Sequence, residues 1–464
     1  MYDDLTYDII DDGGDSEGFA YDDDYYEQPE SSQPLASLLH LLQFCVKPTV
    51  TEAYASLLQL FAICLAFRAV TQIVRLPDPF HHLVSSLCGV LALYSTFGLQ
   101  SAYPAFLALF GAVVIQTTHA LYSSGRGYTV GAVFLLQLLL CELGLVSGDT
   151  WERIRGPQMV LTMKIVSYAF DLDSSALKFD AVAFLGYALC PGNLVFGPWT
   201  PFGDYMASFE YDAWDWKWLK RVLSSFFKSL FYFTLSVCFL EWAIPDQGSS
   251  KFALVYRDAL LFRVGHYFVS FAAETSALVS GLWKVEITKP SAIEWPDSLV
   301  QVVIFWNLPI HRWLKTYVFR TSLPAGTFVA VMSTYLVSAL LHGANAKLSA
   351  ILLSLGLYTY VEHSLRSKMA EKFCACIGPR PCPKPCSVHK RHSTSNILVY
   401  AINLLFTLVA IFHLAYLGCI LDTVMDTGEN IVKDPFSRWA ELGYVSHFTV
   451  GATAAIYGAM AIIW

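Results

Sequence analysis

Apolar residues in this chain neither alternate with polar ones nor form narrow stripes; they run on. Nearly uncharged stretches recur around 51–67, 76–98, 101–122, 127–147, 181–199, 222–243, 252–272, 324–346, 348–361, 395–421 and 445–464. A helix rises about 1.5 Å per residue and a bilayer core is about 30 Å thick, so roughly 20 such residues make one crossing. Several runs approach that length. Others are short or interrupted, which predicts tilted, broken or re-entrant helices whose backbone is covered by protein or lines a cavity. The pattern predicts an all-α polytopic membrane protein with about 10–12 transmembrane or re-entrant helices.

Composition agrees, with 55% hydrophobic and 15% charged residues among 464. Membrane lipids are the expected surroundings, and no nucleic-acid partner is expected. Residues 1–34 differ from the rest: they hold twelve Asp or Glu and no Lys or Arg. They read as a disordered acidic tail, lacking the basic and apolar regions of a cleavable signal peptide, and residues 35–464 as the membrane domain. Because the whole chain carries −8 and the tail −12, the membrane domain carries +4. Its basic residues concentrate at 365–394, where Arg366, Lys368, Lys372, Arg380, Lys384, Lys390 and Arg391 face one acid, Glu371. The positive-inside rule places that loop in the cytosol, the segment around 421–439 in the lumen, and Trp464 back near the cytosol.

The eleven cysteines fall into two groups. Cys45, Cys64, Cys88, Cys141, Cys190, Cys238 and Cys419 lie in or beside apolar segments and read as small packing residues. The others crowd into the basic loop as CACIGPRPCPKPCSVH, where Cys376, Cys382, Cys386 and His389 form a C-x5-C-x3-C-x2-H series. Thiolates and an imidazole suit a tetrahedral structural zinc ion, with Cys374 and His392 as substitute ligands. The other reading is a solvated loop whose thiols are free or lipidated.

Three segments carry chemistry. His342 stands in an otherwise uncharged stretch, SALLHG, between Arg320 and Lys347. An ionisable group at membrane depth is costly and faces a protein interior or a watery cavity, where it serves as catalytic base, proton relay or ion site. Upstream by 35 residues, Trp306-Asn307-Leu308-Pro309-Ile310-His311-Arg312-Trp313-Leu314-Lys315 interleaves aromatic and basic residues. It reads either as an interfacial anchor or as a site where Arg312, Lys315 and Arg320 meet phosphates and Asn307 donates to a carbonyl oxygen gaining negative charge. The segments around Arg155-Gly156-Pro157 and Phe196-Gly197-Pro198 read as a loop entering an amphipathic helix and as a turn at the membrane surface.

In order along the chain, RGPQMVLTMKIVSYAFDLD, VFGPWTPF, WNLPIHRWLKTYVFR and SALLHG resemble the membrane-bound O-acyltransferases, which carry an Asn or Asp followed at a distance by a membrane-embedded His. The resemblance covers roughly residues 145–464. It implies the MBOAT fold around a central tunnel, with His342 as base and Asn307 as its polar partner acting on a long-chain acyl-CoA, and no catalytic cofactor. The stretches TYVEHSLRSKMAEKFCACIGPRPCP and NLLFTLVAIFHLAYLGCILD are similar to the branch that acylates Wnt proteins. That likeness implies palmitoleoyl-CoA as donor, a Wnt serine as acceptor and the endoplasmic reticulum membrane as location. For CoA the candidates are Lys164, Arg312, Lys315 and Arg320; Trp306, and Ser338 and Tyr335 on the His342 face of one helix, are further substrate contacts. Transfer to a sterol, diacylglycerol or lysophospholipid uses the same pair, and a proton-coupled transporter is the alternative outside the family.

Overall fold

Backbone polar groups have no water to bond in a hydrocarbon core, so the chain satisfies them within helices. The computed structural model describes residues 34–74, 76–122, 124–174, 177–210, 214–383, 386–421 and 436–463. The acidic tail except Pro34, Lys384, residues 422–435 of the expected lumenal segment and Trp464 lie outside the described residues. Among the described residues there is no β-strand, only an isolated bridge between Ala375 and Arg391.

The principal helices are α1 (Lys47–Ile73), α2 (Asp78–Phe97), α3 (Ala102–Leu121), α4 (Arg126–Leu140), α5 (Gly148–Ser174), α6 (Ala181–Ala188) and α7 (Trp216–Thr234). They continue as α8 (Lys251–Val279), α9 (Leu299–Trp306), α10 (Leu308–Leu314), α11 (Thr327–Leu341), α12 (Ala346–Phe373), α13 (Ile397–Gly418) and α14 (Val445–Ile463). Among the described residues, six helical stretches are long and apolar enough to cross a membrane, including one of 44 residues spanning α2 and α3. At Gly98, with φ +56°, that stretch changes from α-helix to a short 3-10 turn.

Long helices α5, α8 and α12 carry charge because they lie inside the bundle, where their ionic groups find partners. Arg263 of α8 pairs through two nitrogens with Glu294 at 2.9 and 3.0 Å, and Arg366 of α12 bonds Glu362 at 3.0 Å. Buried charges persist only when paired and hydrogen-bonded in this way.

Two expectations from the sequence need correction. Residues 149–164 are not a loop leading into a helix: α5 runs unbroken through Gly156-Pro157. The run 181–199 is not one membrane helix, and Phe196-Gly197-Pro198 is not a surface turn. There, α6 gives way to irregular chain whose residues are nearly all buried. Such backbone survives at depth because protein satisfies it: Tyr187 OH donates to Thr200 O at 2.7 Å, and Ser276 Oγ to Gly192 O at 2.9 Å.

The bundle has two distinguishable ends. Trp218 at the start of α7 donates to Leu278 O at the end of α8, and Arg68 near the end of α1 stacks over Trp214 and Trp218. At the opposite end of α8, Ala259 packs against Gly418, the last residue of α13. The Cys-rich loop precedes α13, so it shares an end with Leu278 and Arg68. Cys45, just before α1, and Cys238, just after α7, lie at the other end and form a disulfide. These two are therefore not packing thiols; Cys64, Cys141 and Cys190 are buried and free, and Cys419 is buried.

Candidate active site

His342 follows directly on α11, and the chain after it is closed in a defined way. Gly343 N–H donates to Leu340 O and Ala344 N–H to Ala339 O, each at 2.9 Å. Those two bonds make a Schellman turn, which needs a left-handed residue just past the cap. Gly343 provides it with φ +81°, and any Cβ there would lie 2.5 Å from Glu142 Oε2. The Glu142 carboxylate in turn accepts from Trp151 Nε1. Asn345 caps α12 by accepting from Leu348 N–H at 3.2 Å. The expected continuous run 324–346 is thus broken at the histidine. His342 itself is only half-buried.

Asn307 occupies a second helix break. Its backbone is extended, with φ −149°, and its Oδ1 accepts from Ile310 N–H at 3.0 Å, capping α10. Pro309 fits the first turn of α10, where no N–H is required. The cap engages the amide oxygen and leaves the NH2 as the donating half.

His266 of α8 packs against the helix that ends at Asn307. Its ring stacks on Trp306 at 4.4 Å between centroids, and Nε2–H donates to Trp306 O at 2.8 Å. Since a carbonyl only accepts, Nε2 bears the proton. The side chains of Trp306, Asn307, His266 and His342 are all half-buried.

Towards the end that carries the Cys-rich loop, Arg312 is exposed and lies 3.9 Å from Asp204, which also accepts from Lys284 at 3.0 Å. The charges of Lys315 and Arg380 both reach His311, and that of Arg380 also reaches His363. Arg320 is exposed beyond them.

A family model described as MBOAT, membrane-bound O-acyltransferase family, matches residues 160–374, which include both helix breaks. Over 442 residues the chain is 36% identical to the protein-serine O-palmitoleoyltransferase porcupine of Homo sapiens, spanning 88% of this chain and 95% of the relative. The chain belongs to the membrane-bound O-acyltransferase family. Its likeness to the Anopheles gambiae protein-serine O-palmitoleoyltransferase porcupine is 34% over 460 residues, 89% of this chain and 92% of the relative. Lysophospholipid acyltransferase 2 of Arabidopsis thaliana is more distant, at 24% over 319 residues and 56% of this chain. The porcupine likeness also reaches ahead of residue 145, since 88% of the chain is more than residues 145–464 supply.

In this acyltransferase Lys164 is not placed to meet a phosphate. It is fully buried, and its ammonium donates to Tyr187 O, Ala188 O and Asn193 Oδ1 at 2.9, 3.1 and 2.7 Å. Two of those acceptors are the last carbonyls of α6, so Lys164 closes a helix terminus. Tyr335 packs its ring against Gly356 of α12 and donates to Thr359 Oγ1 at 3.4 Å, an interhelical contact. Ser338 is buried, and its carbonyl accepts from His342 N–H at 3.2 Å. Sequence reasoning missed Glu142 and His266. Glu142 carried the signal that singled out His342, an ionisable group in an apolar run, whereas Arg257, Asp258 and Arg263 masked it for His266.

Proposed function

We propose that this acyltransferase moves a palmitoleoyl group from palmitoleoyl-CoA to a serine hydroxyl of a Wnt protein in the endoplasmic reticulum membrane. The observation that carries the reading is the 36% identity over nearly the full length of a protein-serine O-palmitoleoyltransferase. The helix breaks at Asn307 and His342 give it a mechanism.

In its neutral form His342 accepts the serine proton as the serine oxygen attacks the thioester carbonyl; such bases contribute about 10²- to 10⁴-fold. The Asn307 NH2 donates to the carbonyl oxygen as it becomes negative. Collapse breaks the C–S bond, and His342 returns the proton to the departing CoA thiolate. Acylated serine and CoA leave, and the imidazole is neutral again. No covalent acyl-enzyme is needed.

The acyl chain lies in a central tunnel past His342, and the CoA phosphates lie against Arg312, Lys315 and Arg320. Trp306, Ser338 and Tyr335 act from the walls. The Cys-rich end faces the cytosol, where acyl-CoA is made, and the Cys45–Cys238 end faces the lumen. The exposed thiol of Cys374 at one end and the Cys45–Cys238 disulfide at the other suit a reducing and an oxidising compartment. A zinc ion in the Cys-rich loop would be held by Cys376, Cys382, Cys386 and His389, which would leave it no open position and no part in the reaction.

Purified full-length protein mixed with labelled palmitoleoyl-CoA and a Wnt-derived serine peptide tests this. Wild type transfers label to the peptide, and His342→Ala loses at least about 10²-fold. Label appearing on lysophospholipid but not on peptide overturns the acceptor; undiminished transfer by His342→Ala overturns the base.

A further inference from the structure

Four ligand-bearing side chains converge between α12 and α13, away from the acyl-transfer site. The Sγ atoms of Cys376, Cys382 and Cys386 and a ring nitrogen of His389 all lie within 4.8 Å of one another. From His389 Nδ1 the three sulfurs stand at 3.8, 3.3 and 3.6 Å. With Zn–S near 2.3 Å and Zn–N near 2.05 Å, the sulfur-to-nitrogen edge of a tetrahedral site is about 3.6 Å. Hydrogen bonding does not explain the cluster. A single ring nitrogen has one proton or one lone pair, and three sulfurs surround it. A cation at the centre uses all four groups. His392 Nδ1 lies 3.3 Å from Cys376, as an alternative ligand.

The loop is also fastened to the machinery of the helices. Cys376 N–H donates to Arg391 O at 2.9 Å, closing the loop on itself. Arg366 donates to Ile377 O and Gly378 O, each at 2.9 Å, and Ser298 Oγ donates to Pro379 O at 2.7 Å. Ser298 caps α9, the helix that ends at Trp306 and Asn307. The next residue after this anchored segment is Arg380, which is exposed and shares His311 with Lys315 as an electrostatic neighbour.

We propose that Cys376, Cys382, Cys386 and His389 bind a structural zinc ion, which fixes the loop so that Arg380 joins Lys315 in holding the phosphates of acyl-CoA. The part played by Arg380 rests on the acyl-CoA reading; the metal site does not. Zinc acts here as a positioning centre, tying loop geometry to donor affinity.

Metal analysis of detergent-purified full-length protein is expected to give about one zinc per chain, falling to background in Cys382→Ser/Cys386→Ser. Because that variant risks misfolding, wild type is also stripped with a chelator and reloaded with zinc alone. The KM for palmitoleoyl-CoA should rise on stripping and return on reloading. Arg380→Ala should keep its zinc and raise the same KM about three- to tenfold with little change in kcat. Wild type without zinc, or with its loop thiols joined as disulfides, overturns the metal site whatever the activity. Zinc present with an unchanged KM in Arg380→Ala overturns the positioning role and leaves the acyl-transfer reading intact. If wild type transfers no acyl group at all, the acyl-transfer reading fails while the zinc measurement still decides the site.

Discussion

Gly343 is under two constraints that have separate origins. Its φ of +81° belongs to the turn that ends α11, and the space its Cβ would need is filled by Glu142. An alanine in the left-handed region costs about 1 kcal/mol on backbone grounds alone. Moving Glu142 aside also disturbs its bond to Trp151 and the residue before it, His342. Gly343→Ala is therefore expected to lower stability by about 1–3 kcal/mol and kcat by at least roughly tenfold, because small misplacements of a base are expensive. Thermal unfolding in detergent and peptide acylation measure the two effects; unchanged values for both would refute the argument. At this scale the sequence was partly legible. His342 stood out because an ionisable group in an apolar run is rare, and the same reasoning extends to Glu142, alone in the run 127–147. His266 was harder to pick out, because Arg257, Asp258 and Arg263 precede it in the same run. Its role depends on Trp306, 40 residues away, which no local pattern reveals.

Elements were legible where apolar length alone decides them and illegible where partners do. The runs that became α3, α4, α13 and α14 needed only hydropathy. Gly156-Pro157, by contrast, looks like a helix breaker, yet α5 passes through it inside the bundle. Conversely, 181–199 looks like a crossing, yet α6 stops at Ala188. The stop is possible because Lys164, on the neighbouring α5, supplies three donors to the chain end. A basic residue near the motifs reads as a phosphate contact in sequence, and only its burial reveals the internal task. Lys164→Met keeps the length of the side chain and removes the donors, stranding Ala188 O and Asn193 Oδ1 and leaving Tyr187 O with only backbone N–H partners such as that of Cys190 at 3.4 Å. The expected loss is on the order of 3–5 kcal/mol, seen as lower yield and melting temperature, with KM for acyl-CoA unchanged in the protein that survives. A stable Lys164→Met enzyme with a raised KM would instead return Lys164 to the donor site.

Across the whole molecule the cysteines report on orientation independently of charge. The positive-inside argument uses the excess of Lys and Arg at 365–394. The disulfide argument uses only the ends occupied by the Cys45–Cys238 bridge and by the exposed thiol of Cys374, because disulfides persist in oxidising compartments and accessible free thiols in reducing ones. Both arguments put the Cys-rich end in the cytosol, although they share no residue. Cys374 makes the test direct: it is exposed and lies outside the four-ligand cluster. In sealed vesicles with the cytosolic face outward, a membrane-impermeant maleimide should modify Cys374 in a variant whose other free thiols are replaced outside the cluster, with zinc retained. Cys45 and Cys238 should react only after both permeabilisation and reduction. Modification of Cys374 that requires permeabilisation would invert the protein, place the basic residues Arg312, Lys315 and Arg380 on the side without acyl-CoA, and remove the physical basis for their binding its phosphates.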